Sequence, residues 1–238
     1  MLTKRSIPLL LSFFFVATFF SGCKKNNPTP VTVTISKVKS QIITSPSGVP
    51  DTTIYTYDNT GRQATSLEDT LLTTYTYGSN TVTVTSILSG HNFATTYYTN
   101  VNGLATSDSK RFSYTYSSWG YLASLAYTGA GTYDSTVYLV SAGNIDTTIR
   151  HQVDSATDNR VTTVYTYLPT VDSRDYGLSF LGKQSTNLIN NETITQVING
   201  STYTASYTYS YTFDNKGRVT QQVRSSGTAT YTTAYTYF

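Results

Sequence analysis

From Ser201 to Phe213 the chain alternates without a break. Tyr203, Ala205, Tyr207, Tyr209, Tyr211 and Phe213 fall on one face, and Thr202, Thr204, Ser206, Thr208, Ser210 and Thr212 on the other. A period of two places alternate side chains on opposite faces of a β-strand, so the stretch reads as a strand with one packed and one wet face. Asp214-Asn215-Lys216-Gly217 then supplies turn chemistry. Variants of this phrase fill most of the chain. Val31–Ile35, Thr52–Tyr57, Leu71–Tyr77, Thr81–Leu88, Phe93–Thr99 and Arg111–Tyr116 read as strands. So do Tyr121–Tyr127, Tyr133–Val140, Ile145–Val153, Val161–Tyr167, Glu192–Ile198, Val219–Ser225 and Thr230–Tyr237. Turn signals separate them at about 8–12 residue intervals, the rhythm of an all-β meander. Asn199-Gly200 is the clearest two-residue hairpin signal. The pattern predicts an antiparallel up-and-down sheet of about 14–16 strands, curled or barrel-like.

The rhythm fails once, between Leu168 and Asn191, where Pro169 and Gly177 are followed by Leu178-Ser179-Phe180-Leu181-Gly182. A long interruption in a compact domain is a functional loop or a segment with structure of its own. The expectation is a loop with one short helical turn, its Leu178, Phe180, Leu181, Leu188 and Ile189 packed as a plug or cap. Lys183 and Asn187 are its candidate binding residues.

Four turns share one spelling when aligned on glycine. Tyr55, Tyr97, Tyr114 and Tyr211 stand six residues before Gly61, Gly103, Gly120 and Gly217. Asp58, Asn100, Ser117 and Asp214 stand three before, and Arg62 and Arg218 follow the glycine in two copies. The short polar side chain can accept a backbone N–H two residues on, and the glycine can take a positive φ, closing the hairpin with a bulge.

Composition agrees with strands: Tyr occurs 22 times and charged residues are 12% of the chain. At the N-terminus, Lys4 and Arg5 precede an apolar run, Ile7–Phe20, that is short for a membrane span but has the length of a secretory signal core. Phe20-Ser21-Gly22-Cys23 follows, and Cys23 is the chain's one cysteine. Residues 24–30 are polar with two prolines and read as a tether. The expected organisation is a signal peptide over 1–22, a tether over 23–30 and one β domain over 31–238. Without residues 1–22 the balance is 14 basic against 13 acidic residues, which carries no field suited to nucleic acid.

Candidate chemistry is sparse. His91 and His151 lack a second ligand at metal spacing, and no metal or cofactor is expected. Glu68-Asp69 and the pair Asp172 and Asp175 could serve glycoside hydrolysis if suitably spaced, but both lie in predicted turns. Asp154–Asn159 lacks the glycine and closing glutamate of a calcium loop. Trp119, the chain's one tryptophan, sits at a turn tip, where it either stacks on a sugar or partner or packs over its own hairpin.

Three resemblances follow from these residues. Ser21-Gly22-Cys23 after the apolar run resembles the lipobox of bacterial lipoproteins, with Phe20 replacing the usual leucine. That resemblance implies lipid on Cys23, and a Lys rather than an Asp at the sorting position after it implies the outer membrane. Tyr55–Arg62 and Tyr211–Arg218 resemble the YD repeat of Rhs-type proteins, which wind far longer chains into shells. Over about residues 31–238 the chain is similar to a family of uncharacterised lipoproteins of Gram-negative bacteria with a porin-like β fold. These resemblances imply a lipid-anchored outer-membrane protein whose β domain has no assigned activity. The expected role is non-enzymatic binding or scaffolding, with an envelope protein or glycan as partner and a membrane contact through the acyl groups of Cys23. A glycan hydrolase using an Asp/Glu pair and a pore-forming lipoprotein are the alternatives.

Overall fold

Seventeen strands occur among the described residues of the computed structural model, which are 33–129, 132–154 and 156–238. The expected signal peptide, Cys23 and the whole tether lie outside them. In order they are β1 (Ser36–Thr44), β2 (Pro50–Tyr57), β3 (Gln63–Glu68), β4 (Leu71–Tyr77), β5 (Thr81–Leu88) and β6 (His91–Thr99). Next come β7 (Ala105–Asp108), β8 (Phe112–Tyr116), β9 (Leu122–Gly129), β10 (Thr132–Ser141), β11 (Asn144–Val153) and β12 (Asp158–Val171). The series ends with β13 (Arg174–Asp175), β14 (Asn187–Ile198), β15 (Ser201–Phe213), β16 (Val219–Ser225) and β17 (Thr230–Tyr237).

Sixteen of these close a barrel. Each strand from β1 to β11 pairs antiparallel with the next. β12 pairs with β14, and the series continues through β15 and β16 to β17, which pairs back onto β1. Closure leaves no unpaired edge in the ring. β13 stands apart from the ring and pairs in parallel with Ser36 and Lys37, below the point where β2 joins β1.

The expected strands form with three corrections. The first strand is Ser36–Thr44, around the buried Val38; residues 33–35 of the expected Val31–Ile35 strand are not in it, and 31–32 lie outside the described residues. β3 and β7 are additional: neither Gln63–Glu68 nor Ala105–Asp108 carries a row of alternating aromatics, and ladder pairing to their neighbours makes them strands. The interruption shrinks to residues 172–186. β12 runs past Pro169 by skipping register between Tyr167 and Val171, where a residue without an N–H is tolerated.

In a closed meander alternate connections share an end. The turns after β2, β4, β6, β8, β10 and β15, the segment 172–186, the start of β1 and Phe238 therefore lie at one end of the barrel. All four aligned turns are at this end. Asp58 Oδ1 accepts the N–H of Thr60 and Arg62, and Asp214 Oδ1 accepts those of Lys216 and Arg218. Asn100 does the same for Asn102 and Leu104, and Ser117 Oγ accepts the Tyr121 N–H. A register shift next to each turn is the expected bulge. The connection after β7, at the opposite end, repeats the device with Arg111 at φ 73° where glycine would stand, so aligning glycines misses it.

The tyrosine face points inward. The outward face carries cross-strand hydroxyl pairs, among them Ser40–Thr236 and Thr56–Thr65 at 2.7 Å, Thr115–Ser124 at 2.7 Å and Thr212–Thr220 at 3.0 Å. Residues 172–186 enter the barrel as the expected plug. Their short 3-10 turn, Ser179–Leu181, buries Phe180 edge-on to Tyr97, with centroids 5.1 Å apart. Tyr176 meets Tyr55 at 5.4 Å. The two apolar clusters, one around Val38, Leu188 and Val219 and one around Val82, Ala105 and Phe180, both pack against this segment. Core formation is thereby concentrated at the plugged end.

Candidate functional site

Polar groups deeper in the barrel are largely satisfied by each other. Glu192 accepts from the Tyr209 hydroxyl at 2.7 Å and from Arg224, whose guanidinium lies 3.5 Å over the Tyr207 ring. A lumen cavity of about 450 Å³ is walled by Tyr97, Tyr114 and the Asp134–Arg150 pair, with Asp108 accepting the Tyr114 hydroxyl at 2.7 Å. Asp134 and Arg150 neutralise each other there, and Lys110 also lines the cavity.

The plugged end differs. Two depressions open there. One, of about 710 Å³, lies between the β8–β9 turn (Ser117, Ser118, Trp119) and the β10–β11 turn (Ala142, Gly143), with Lys183 of the plug also lining it. The other, of about 640 Å³, is lined by Lys37, Arg62, Asp172, Arg174 and Asp175, and again by Lys183.

Local structure fixes these walls. Gly120, at φ 85°, closes the turn that lifts Trp119, and the Ser117 hydroxyl caps it. Trp119 is 75% exposed, so it does not pack over its own hairpin. The plug is stitched to both turns. The Lys183 N–H donates to the Gly120 carbonyl at 2.9 Å, and the Thr186 N–H to that of Gly143 at 2.9 Å. The Lys183 stem runs along Gly120, where a Cβ would lie 3.6 Å from its Cε, and its ammonium sits 5.9 Å from the Tyr121 ring centre.

The structure thus brings Trp119 and Lys183 to one depression, although 64 residues separate them. Asn187 goes elsewhere. It exchanges two hydrogen bonds with Asn144, its N–H donating to Asn144 Oδ1 at 2.9 Å and its Oδ1 accepting from Asn144 Nδ2 at 3.0 Å. That pair fastens the β10–β11 turn to the plug's exit. Asp58, Arg62, Asp214 and Arg218 form two matching turn clamps, with Arg62 stacked 4.1 Å over Tyr77 and Arg218 4.8 Å over Tyr237. Gly61, Gly103 and Gly217 take positive φ in their turns. Hydrogen bonds from Thr60 and Arg62 hold the Asp58 carboxyl well below its usual range, and those from Arg218 and Lys216 lower that of Asp214.

The acidic residues singled out by spacing are distributed differently. Asp172 and Asp175 do line one depression, but Asp172 is forked to Arg174 and Asp175 is paired with Lys37 at 2.7 Å. Glu68 partners Asp51 of β2 rather than Asp69, and the hydrogen bond with Asp51 raises its pKa. Asp154 caps its own turn through Ala156 and Thr157. His151 pairs with Asp158 at 2.9 Å. Among the described residues no three His, Cys, Asp or Glu side chains converge as a metal set.

No protein-family model matches the chain. No curated protein matches it by sequence. Solved structures do match its fold. A porin-like protein from Bacteroides uniformis superposes with a TM-score of 0.57 at 17% identity, over 84% of this chain and 98% of that one. A porin-like protein from Bacteroides vulgatus superposes with a TM-score of 0.61 at 12% identity, over 85% of this chain and 99% of that one. At such identities the likeness is one of fold, and the shared fold is the β-barrel.

Proposed function

We propose that this chain is a lipid-anchored binding module of the outer membrane that takes an envelope glycan at the plugged end of its barrel. The observation that carries the reading is the solvent-facing Trp119 beside Lys183 in a depression walled by serine hydroxyls. A rigid exposed indole offers a sugar its face, and hydroxyls and an ammonium offer hydrogen bonds. The hydrolase alternative needs a free acid and base at a cleft, whereas Asp172 and Asp175 are each ion-paired. The pore alternative needs a continuous apolar belt. The outward face instead carries hydroxyl pairs between separate apolar patches, among them Ile54, Leu67, Leu72 and Ile87 on one side and Val137 beside Ile149 on another.

The interactions described all lie within residues 33–238, so a 24–238 fragment retains them. Trp119 is the chain's one tryptophan, and its fluorescence reports ligand directly. Titration of the fragment with an envelope-glycan panel should change that emission without releasing cleaved products. Trp119→Ala should abolish binding, read by calorimetry, while leaving the unfolding temperature within error. Absence of glycan binding, or equal binding by the variant, defeats the reading. For the anchor, Cys23→Ala should move the protein from the membrane to the soluble fraction, and processing should be sensitive to globomycin.

A further inference from the structure

The two depressions at the plugged end are unlike in charge, and Lys183 belongs to both. In the larger-charged one, each neighbouring cation already has a carboxylate. Lys37 meets Asp175 at 2.7 Å, Arg62 meets Asp58 at 2.7 Å, and Arg174 meets Asp172 at 2.6 Å. Lys183 has no carboxylate partner among the described residues, and its charge faces only the Tyr121 ring. The Trp119 depression has no acidic residue in its lining. Asp146 of β11 hydrogen-bonds the rim residue Ser141 and is engaged through that hydroxyl.

We infer that the ligand of this face is an acidic glycan that stacks a sugar on Trp119 and sets a carboxylate or phosphate against the Lys183 ammonium, continuing over Gly120 toward Arg62 and Lys37. This inference rests on the reading of the plugged end as a glycan site. Its physical basis is placement. The main chain of Lys183 is pinned to Gly120, so the ammonium occupies the ridge that a chain of sugars spanning both depressions must cross. An unpaired cation on a pinned main chain rewards an anion near that point of the ligand, and the hydroxyl-rich walls serve the neutral remainder.

The test uses matched ligands that differ only in charge. The 24–238 fragment is titrated with an oligogalacturonate and a hyaluronan oligosaccharide, and with the methyl ester of each. At low salt at least one acid should bind about fivefold or more tightly than its ester, the scale of one exposed charge contact. The preference should shrink as salt is raised. Lys183→Gln should erase it and Lys183→Arg should keep it, with Trp119 stacking unchanged in both. Acid and ester binding alike, or a preference that survives in Lys183→Gln, overturns the inference and leaves glycan binding in place. No binding by any glycan of the wider panel overturns the glycan reading as well, so the two failures are distinct.

Discussion

The Tyr237 hydroxyl donates to the main-chain carbonyl of Val219 at 2.7 Å, and Val219 stands at a break in the β15–β16 register. The relationship recurs. Tyr57 reaches Val38, Tyr77 reaches Gln63, Tyr167 reaches Ile145 and Tyr211 reaches Ile189, at 2.6–2.9 Å. Each of these carbonyls borders a register shift. A bulge leaves a ladder group unpaired inside the barrel, and the tyrosine of a nearby strand satisfies it. This explains why these five positions are tyrosine and not phenylalanine.

Tyr237→Phe should therefore destabilise the fold by about 1 kcal/mol or somewhat more, since it strands a half-buried carbonyl. Tyr98→Phe, on an exposed residue of β6, should cost almost nothing. Paired urea-melt midpoints measure the contrast.

Phe180→Ala should cost about 3–5 kcal/mol, the range for deleting a buried aromatic. Phe180 is 4% exposed and is the plug's contact with Tyr77 and Tyr97. Thermal melts should show the loss, and amide exchange should rise first across 172–186.

Gly182→Ala tests the seat of Lys183. Gly182 has φ 93°, and a Cβ there would lie 2.9 Å from a Tyr116 ring carbon and 3.0 Å from the Gly120 carbonyl oxygen. Both the backbone conformation and the space exclude a methyl group. The variant should bind the acidic ligand more weakly than wild type even at temperatures where circular dichroism shows it folded. Ala at Gly90, which has φ 81° but open space around it, should lower stability slightly and leave binding intact.

The turn clamps predict the acid limb of stability. Asp58 and Asp214 have folded-state pKa values below the ordinary 3.8, through hydrogen bonds from Thr60, Arg62, Arg218 and Lys216. Their contribution is complete above about pH 4 and is lost as pH falls below it, when the unfolded chain takes up protons the folded chain refuses. Carbon-detected NMR should place both midpoints below 3.8. Asp58→Asn should flatten the decline in stability below pH 4.

The alkaline limb belongs to the tyrosines. Burial pushes Tyr55, Tyr77 and Tyr116 up to about 12 and others further. A raised tyrosine pKa leaves stability intact below pH 10 and withdraws it as pH climbs toward 12, because the unfolded chain ionises first. Tyrosinate absorbance from the buried rings should rise together with loss of near-ultraviolet dichroism.

Local sequence determines a great deal of this protein. Alternation assigns the inward and outward faces of β15, and Asp214-Asn-Lys-Gly217 specifies both its turn and the bulge that follows. These are short-range steric and hydrogen-bonding preferences, legible wherever the residues stand. Even the plug is announced by the failure of the rhythm after β12. Other features are decided by tertiary structure. Closure depends on β17 meeting β1 across nearly the whole chain, and that follows from the accumulated tilt and register of every intervening pair, which no single strand encodes. The strands β3 and β7 exist because neighbours offer them ladders. Trp119 and Lys183 come to line one depression because Gly120 accepts a hydrogen bond from the plug. Spacing along the chain contains no trace of that meeting, since it depends on how far a 15-residue crossing reaches inside a closed wall.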